Sequence, residues 1–205
     1  MDAKQMIEDR RSVNIFDPTR KIDDETLKNI INLAVNAPSA YNLQPWRIIV
    51  IKSDEAKERL FNLAFQQPKV KEAAINLLIV GNRYGWDASN TVWDEMLQSV
   101  GGNQEIVDTA KSGAAWVYGS SEEMQIKFAE ANAGLLAMSI MYSAKALGID
   151  SHPMNGFDFA GIHKEFGLGE HEAVVMNITL GYRNEAMPLH PRRPRRGFDE
   201  IAEVL

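Results

Sequence analysis

The sequence predicts an α+β fold, on three observations. Three short apolar runs, Trp46–Ile51, Ile75–Gly81 and Ala173–Tyr182, are rich in β-branched residues and read as strands. Stretches with apolar residues at helical spacing separate them. The longest of these, from Ser120 to Leu147, sets the small residues Ala129, Ala133, Gly134, Ala137 and Ala144 beside Leu136, Ile140 and Met141. That pattern suits a helix central to the core or one that forms a dimer. At 205 residues, with no internal repeat, the chain is expected to form one domain spanning 1–205.

Taken in order, the chain opens with a short charged helix from Asp2 that ends at Arg10-Arg11-Ser12. Two guanidiniums and a hydroxyl at a helix end form either a solvated basic turn or a clamp for an anion such as phosphate. Pro18 closes a turn, and Asp23 is placed to cap a helix through Asn36 whose Leu27, Ile30, Ile31 and Ala34 share one face. Pro38 stops that helix. The connection to the first strand reads Ala-Pro-Ser-Ala-Tyr-Asn-Leu-Gln-Pro-Trp, residues 37–46. Pro38 and Pro45 restrict its backbone, while Ser39, Asn42 and Gln44 offer donors and acceptors able to read a heterocycle edge. Taken alone, it is either an ordinary turn or a binding loop.

Ser53 or Asp54 caps a helix through about Ala64, which Gln66-Gln67-Pro68-Lys69 breaks. After the second strand, residues 82–119 carry Trp86, Trp93 and Trp116, which either pack in a core or form a lid over a pocket. Ser120 and Glu123 have the spacing of a capping box for the long helix, and Gly148 ends it. His152–Asp158 reads as a proline and glycine loop that presents backbone amides, and Asp158 caps a helix ending at Gly167. The third strand leads into a tail, His190–Gly197, in which two prolines and four arginines predict an extended, cationic segment. It is either solvated or reaches an anion.

Composition excludes several function classes. A net charge of −6 disfavours nucleic acid as a partner, and the absence of cysteine removes disulfides, thiolate nucleophiles and cysteine metal sites, so redox chemistry needs a bound cofactor. The N-terminus lacks a basic start followed by an apolar run, so a cytoplasmic location is expected. Lys127, Glu130 and Lys145 interrupt the most apolar stretch, which argues against a membrane span. Gly167-Leu168-Gly169 lacks a third glycine and follows a helix, not a strand, so it is no dinucleotide loop. The four histidines show neither HExxH spacing nor carboxylate pairing and are read as surface or structural residues; no metal site is expected. There is no Gly-x-Ser-x-Gly elbow.

The ordered succession Arg10-Arg11-Ser12, Ala37-Pro38-Ser39 with Asn42-x-Gln44-Pro45-Trp46, Pro153-Met154-Asn155-Gly156-Phe157, and Leu180-Gly181-Tyr182 with the arginine tail resembles the nitroreductase family. The resemblance spans the chain. It implies a nitroreductase-like fold with a central, mainly antiparallel sheet packed by helices, in a homodimer whose C-terminal tail reaches the partner subunit. It also implies FMN as cofactor, NADH or NADPH as co-substrate, and ping-pong hydride transfer through flavin N5 to nitroaromatic, quinone or similar small-molecule acceptors.

Carried over by position, Arg10, Arg11 and Ser12, joined by Arg193 and Arg195, would hold the FMN phosphate. Ser39, Asn42 and Gln44 would contact the partner subunit's flavin or the loop beneath it. Pro153, Met154, Asn155 and Gly156 would lie along the isoalloxazine, with the Asn155 backbone N–H facing N5 and no catalytic side chain required. Two positions depart from the family pattern. Asn14 stands where many relatives place Lys or Arg near flavin N1 and O2, leaving Lys69 as the available cation, and Gln66 stands where many place Asn. Two alternatives stay open: a specialised flavin enzyme on this scaffold, such as a dehalogenase or a flavin-consuming enzyme, and a flavin-binding protein without turnover.

Overall fold

The computed structural model describes residues 2–205. In chain order the elements are α1 (Ala3–Asp9), α2 (Asp24–Ala34), β1 (Trp46–Ile51), α3 (Asp54–Leu63), α4 (Lys69–Glu72), β2 (Ile75–Asn82), α5 (Val92–Ser99), α6 (Gln104–Tyr118), α7 (Glu122–Ala146), β3 (Asp150–Met154), α8 (Phe159–Glu165), β4 (Glu172–Gly181) and α9 (Phe198–Ile201). Helix starts follow side-chain caps. Asp2, Asp23, Ser53 and Asp158 each accept a backbone N–H from the first turn, satisfying a donor that has no helical partner.

The strands form one sheet in the order β1-β2-β4-β3, antiparallel throughout. Strand β2 lies inside it and is buried from Ile75 to Gly81. Period-two alternation divides its side chains between two cores. Ile75, Leu77 and Ile79 face α7 and α2, where Ala133, Leu136, Ala137 and Ile140 complete one apolar layer. Leu78 and Val80 face the opposite side and pack with Leu60, Val70, Phe157 and Ile162 from α3, α4 and α8. Each fully buried aliphatic side chain contributes about 1.5 to 3 kcal/mol, so these two layers dominate the stability.

Close approach between β2 and α7 requires a glycine. A Cβ added at Gly81 would lie 3.0 Å from the Ala129 carbonyl oxygen. Ala129 of α7 thus serves helix-to-sheet contact, whereas the sequence pattern suits close approach by other helices, and a Cβ at Gly134 would meet nothing within 4 Å.

Three local differences from expectation have physical reasons. The long helix is capped by Ser121 and not by Ser120; Ser121 Oγ accepts from Met124 N at 3.2 Å, whereas Ser120 turns back to the Val117 carbonyl at 2.8 Å. The segment expected to be a loop from His152 begins as β3, an edge strand, where Pro153 is tolerated because its missing N–H falls on the unpaired side. Residues 82–119, which carried no clear pattern, fold as α5 and α6. There Trp93 is 1 % exposed and donates to the Asp87 carbonyl at 2.9 Å, while Trp116 is 81 % exposed.

The tail also differs slightly. It runs without regular structure from 184 to 197, as its prolines dictate, and then forms the single turn α9. Among the described residues, no helix is long and apolar enough to cross a membrane.

Candidate functional site

Chain ends distant in sequence meet at a basic cleft of about 200 Å³, lined by Arg10, Arg11, Ser12, His190, Pro191, Arg192, Arg193 and Arg195. The segment Arg10–Asn14 leaves α1 and lies beside β3: Ser12 bridges Ser151, and Val13 N donates to the Ser151 carbonyl at 3.1 Å. Buried Val13 anchors it there with Phe16 and Ala73. The tail is fastened in turn by Arg11 Nη2 donating to the His190 carbonyl and Arg192 Nη2 donating to the Glu8 carbonyl.

The electrostatics of this cleft are those of an anion site. Burial pushes the Arg10 guanidinium below its ordinary acidity constant, and neighbouring Arg192, Arg195 and Arg11 push the same way against the opposing influence of Tyr142. Arg10 Nη1 is buried without a hydrogen-bond partner, which is costly for a charged donor. A phosphate dianion would offset the crowded positive charge, so the residues present fit that group. Arg10, Arg11, Ser12, Arg193 and Arg195, expected at the phosphate, are therefore brought together. Asn14 lines the adjoining cavity with Arg11, Ser12, Arg183, Asn184 and residues 187–190.

Next to the cleft lies the free edge of β3. Backbone groups of successive strand residues point to alternate sides. Ser151 sends its carbonyl outward to Val13, so Pro153 also faces outward; the strand ends at Met154, and the Asn155 carbonyl accepts from Phe157 N at 3.0 Å in the turn that follows. Gln67 supports this corner: its Nε2 donates to the Gly156 carbonyl at 2.7 Å and to Ala64 O at 3.2 Å. The Asn155 side-chain amide, turned so that its NH2 donates, reaches Val175 O at 3.1 Å and Met154 O at 2.9 Å. Met154 itself is buried in the core under the sheet, so its side chain does not border the site.

A polar chain joins the two regions. His152 Nδ1 lies 3.0 Å from the Val13 carbonyl, His152 Nε2 lies 3.3 Å from Lys69 Nζ, and Lys69 Nζ donates to Gln67 Oε1 at 3.3 Å. Burial pushes His152 down to about 4, with the positive charges of Lys69 and Arg10 adding to the effect, against the bond to Val13. Burial also lowers Lys69. Helix α4, which carries Lys69, is tied to α3 by Lys57, a lysine 3 % exposed whose Nζ donates to Ala73 O at 2.6 Å.

The remaining expected residues sit differently. Gln66 is exposed, with φ of 55°, and it is Gln67 that reaches the Gly156 loop. Loop 39–44 contributes nothing to the lining of the arginine cleft. It spends Ser39 on itself, accepting from Gln44 N at 3.0 Å, while Asn132 of α7 accepts from Ala40 N at 2.9 Å. Tyr41, Asn42 and Gln44 have φ of 52°, 55° and 47°, left-handed values on either side of right-handed Leu43 that are uncommon outside glycine and are braced here by these bonds. Asn42 instead borders a cleft with Tyr41, Val92, Glu95, Met96 and Ser99.

Sequence reasoning missed His152 and Gln67. His152 has no carboxylate or metal-type spacing, and its partner Lys69 lies 83 residues away. Gln67 differs from Gln66 only in which neighbour the turn points inward.

Known proteins share this architecture. The family model for the nitroreductase family matches residues 7–182. The Bacillus subtilis protein YodC, named as an NAD(P)H nitroreductase, is 33 % identical over 172 residues, covering 84 % of this chain and 85 % of the relative. An enone reductase of conjugated linoleic acid (CLA) biosynthesis from Lactiplantibacillus plantarum is 29 % identical, covering 94 % of this chain and 90 % of the relative. Among solved structures, a protein from Exiguobacterium sibiricum in complex with FMN superposes with a TM-score of 0.84 at 28 % identity, covering 100 % of this chain and 97 % of that one. With the antiparallel sheet, the central helix and a family match over most of its length, the chain belongs to the nitroreductase family.

Proposed function

We propose that this protein is an FMN-dependent oxidoreductase that draws on NADH or NADPH and reduces nitroaromatic, quinone or similar acceptors. The observation that carries the reading is the gathering of Arg10, Arg11, Ser12, Arg193 and Arg195 around one cleft, a donor set suited to a phosphate dianion. Arg10, Arg11, Ser12, Arg193 and Arg195 hold the phosphate. Pro153–Gly156 lies along the ring, with the Asn155 N–H as the donor to the ring's reactive edge. Lys69 supplies positive charge.

Bound FMN supplies hydride chemistry at N5, so the protein needs no nucleophile or acid–base pair of its own. Its residues bind, orient and exclude water. The rigid Gln67 bond to Gly156 keeps the backbone edge in register.

The working unit is proposed as a cytoplasmic homodimer of one-domain subunits. Support comes from the tail, whose Phe198, Ile201, Val204 and Leu205 are exposed and apolar, as a segment is that packs on a second copy. In that assembly loop 39–44, apart from the arginine cleft of its own chain, serves the partner's site and explains its strained, braced backbone. An activated alkene is a second acceptor class, favoured by the similarity to the enone reductase over nearly the whole chain.

Purified protein that is yellow and bleaches anaerobically with NADH or NADPH supports the reading. Yellow protein that neither nicotinamide bleaches indicates a binding protein, and protein unable to take up FMN overturns both. Steady-state rates on nitro, quinone and enone acceptors with each nicotinamide then rank the substrates.

A further inference from the structure

Lys69 is a half-buried ammonium whose hydrogen-bond partners are both neutral, His152 Nε2 and Gln67 Oε1, each at 3.3 Å. No carboxylate among the described residues forms a salt bridge with it. Its charge is therefore uncompensated inside the chain, and one of its three N–H groups is uncommitted.

The protonation state of His152 follows from its two partners. The Val13 carbonyl can only accept, so Nδ1 carries the hydrogen. An ammonium can only donate, so Nε2 is a lone pair. The charged groups facing the ring are Lys69 and Arg10, both positive, and they oppose a second proton. Val13 directly follows Ser12 of the phosphate cleft, and Gln67 holds Gly156. The chain Val13–His152–Lys69–Gln67–Gly156 thus runs from the phosphate arm to the ring edge.

We propose that His152 is a positioning residue: as a neutral Nδ1–H imidazole it holds the Lys69 ammonium between the phosphate cleft and the β3 edge, supplying the cation that Asn14 does not. The proposal rests on the FMN reading above. A fixed positive charge there favours the more negative, reduced form of the cofactor. His152 acts through Lys69 and touches no reacting atom.

The test uses the full chain loaded with FMN, and compares midpoint potentials of wild type, Lys69→Met, His152→Val, His152→Gln and the Lys69→Met/His152→Val double variant. Lys69→Met and His152→Val are both expected to shift the potential downward. The double variant should fall no further than Lys69→Met alone, because both changes remove one interaction. Gln can accept from Lys69 and donate to Val13, so His152→Gln should restore most of the wild-type value. Additive shifts, or an unchanged potential in His152→Val or Lys69→Met, overturn the proposal while leaving FMN binding intact.

Imidazole 15N spectra of the cofactor-free chain give an independent readout that needs no variant to fold. A neutral Nδ1–H signal for His152 at pH 6 is expected; a doubly protonated ring there overturns the proposal. Wild-type protein that takes up no FMN overturns the parent reading, and this inference with it.

Discussion

The Gln67 side-chain amide donates to the Gly156 carbonyl at 2.7 Å, joining the start of α4 to the end of β3 across 89 residues of sequence. One hydrogen bond of this kind is worth about 1 kcal/mol net. Gln67→Ala is therefore expected to weaken FMN binding about five-fold by loosening the 155–157 backbone. Fluorescence titration with FMN measures this, and an unchanged dissociation constant would show that the loop holds its shape unaided.

Arg10 presents the sharper case. Replacing it with Met removes a charge-assisted phosphate partner worth about 1.5 to 3 kcal/mol, which predicts a roughly 10- to 100-fold loss of FMN affinity. The cofactor-free variant should be no less stable than wild type, since the change relieves crowding among arginines. Inorganic phosphate should raise the melting temperature of wild type more than that of the variant. Equal responses would place the anion elsewhere.

Position 14 gives a chemical prediction. Asn14→Lys adds a cation at the rim of the phosphate cleft and is expected to raise the flavin reduction potential. A potential equal to wild type would mean that residue 14 does not reach the ring.

Stability should depend on pH through His152. Its folded value of about 4 lies below the unfolded 6.5, so between these values the unfolded chain binds more protons. Stability from this group is complete above about pH 6.5 and is lost as pH falls toward 4. The loss is on the order of 2 kcal/mol once partial solvent access is allowed for. Urea unfolding of wild type and His152→Gln at pH 7 and 4.5 measures it, with a flatter dependence expected in the variant.

The tryptophans of segment 82–119 are expected to separate by burial. Trp93→Ala should cost about 3 to 5 kcal/mol, because its indole fills a core with Leu43, Val107, Ala114 and Phe128. Trp116→Ala should change unfolding by less than about 0.5 kcal/mol, given its exposure. A large effect at Trp116 in urea titrations would reveal a contact made outside this chain.

Much of the architecture was legible because local chemistry and tertiary structure agree. The caps Asp23, Ser53 and Asp158, the β-branched runs and the small residues of α7 each point to the element that forms. Strand β3 was hidden because Asp150, His152 and Pro153 are poor strand residues, and only an edge position next to β4 accommodates them. Helices α5 and α6 were hidden by aromatic residues whose burial depends on Leu43 and Phe128, far away in sequence. At the site, the arginines were visible as charge on an acidic chain. The His152–Lys69 pair was not, since hydrogen-bond partners distant in sequence leave no spacing to read.

The cleft that gathers Arg10–Ser12 and Arg192–Arg195 has a consequence in polymer terms. The contacts that close it join residues 179 and 184 positions apart, so these hydrogen bonds close a ring on almost the entire polypeptide. Loop-closure entropy makes such a link a late event in assembly and an early one to fail. An anion held between those arginines is expected to slow the parting of the two segments, which limited trypsin digestion at Arg192–Arg196 would register as protection.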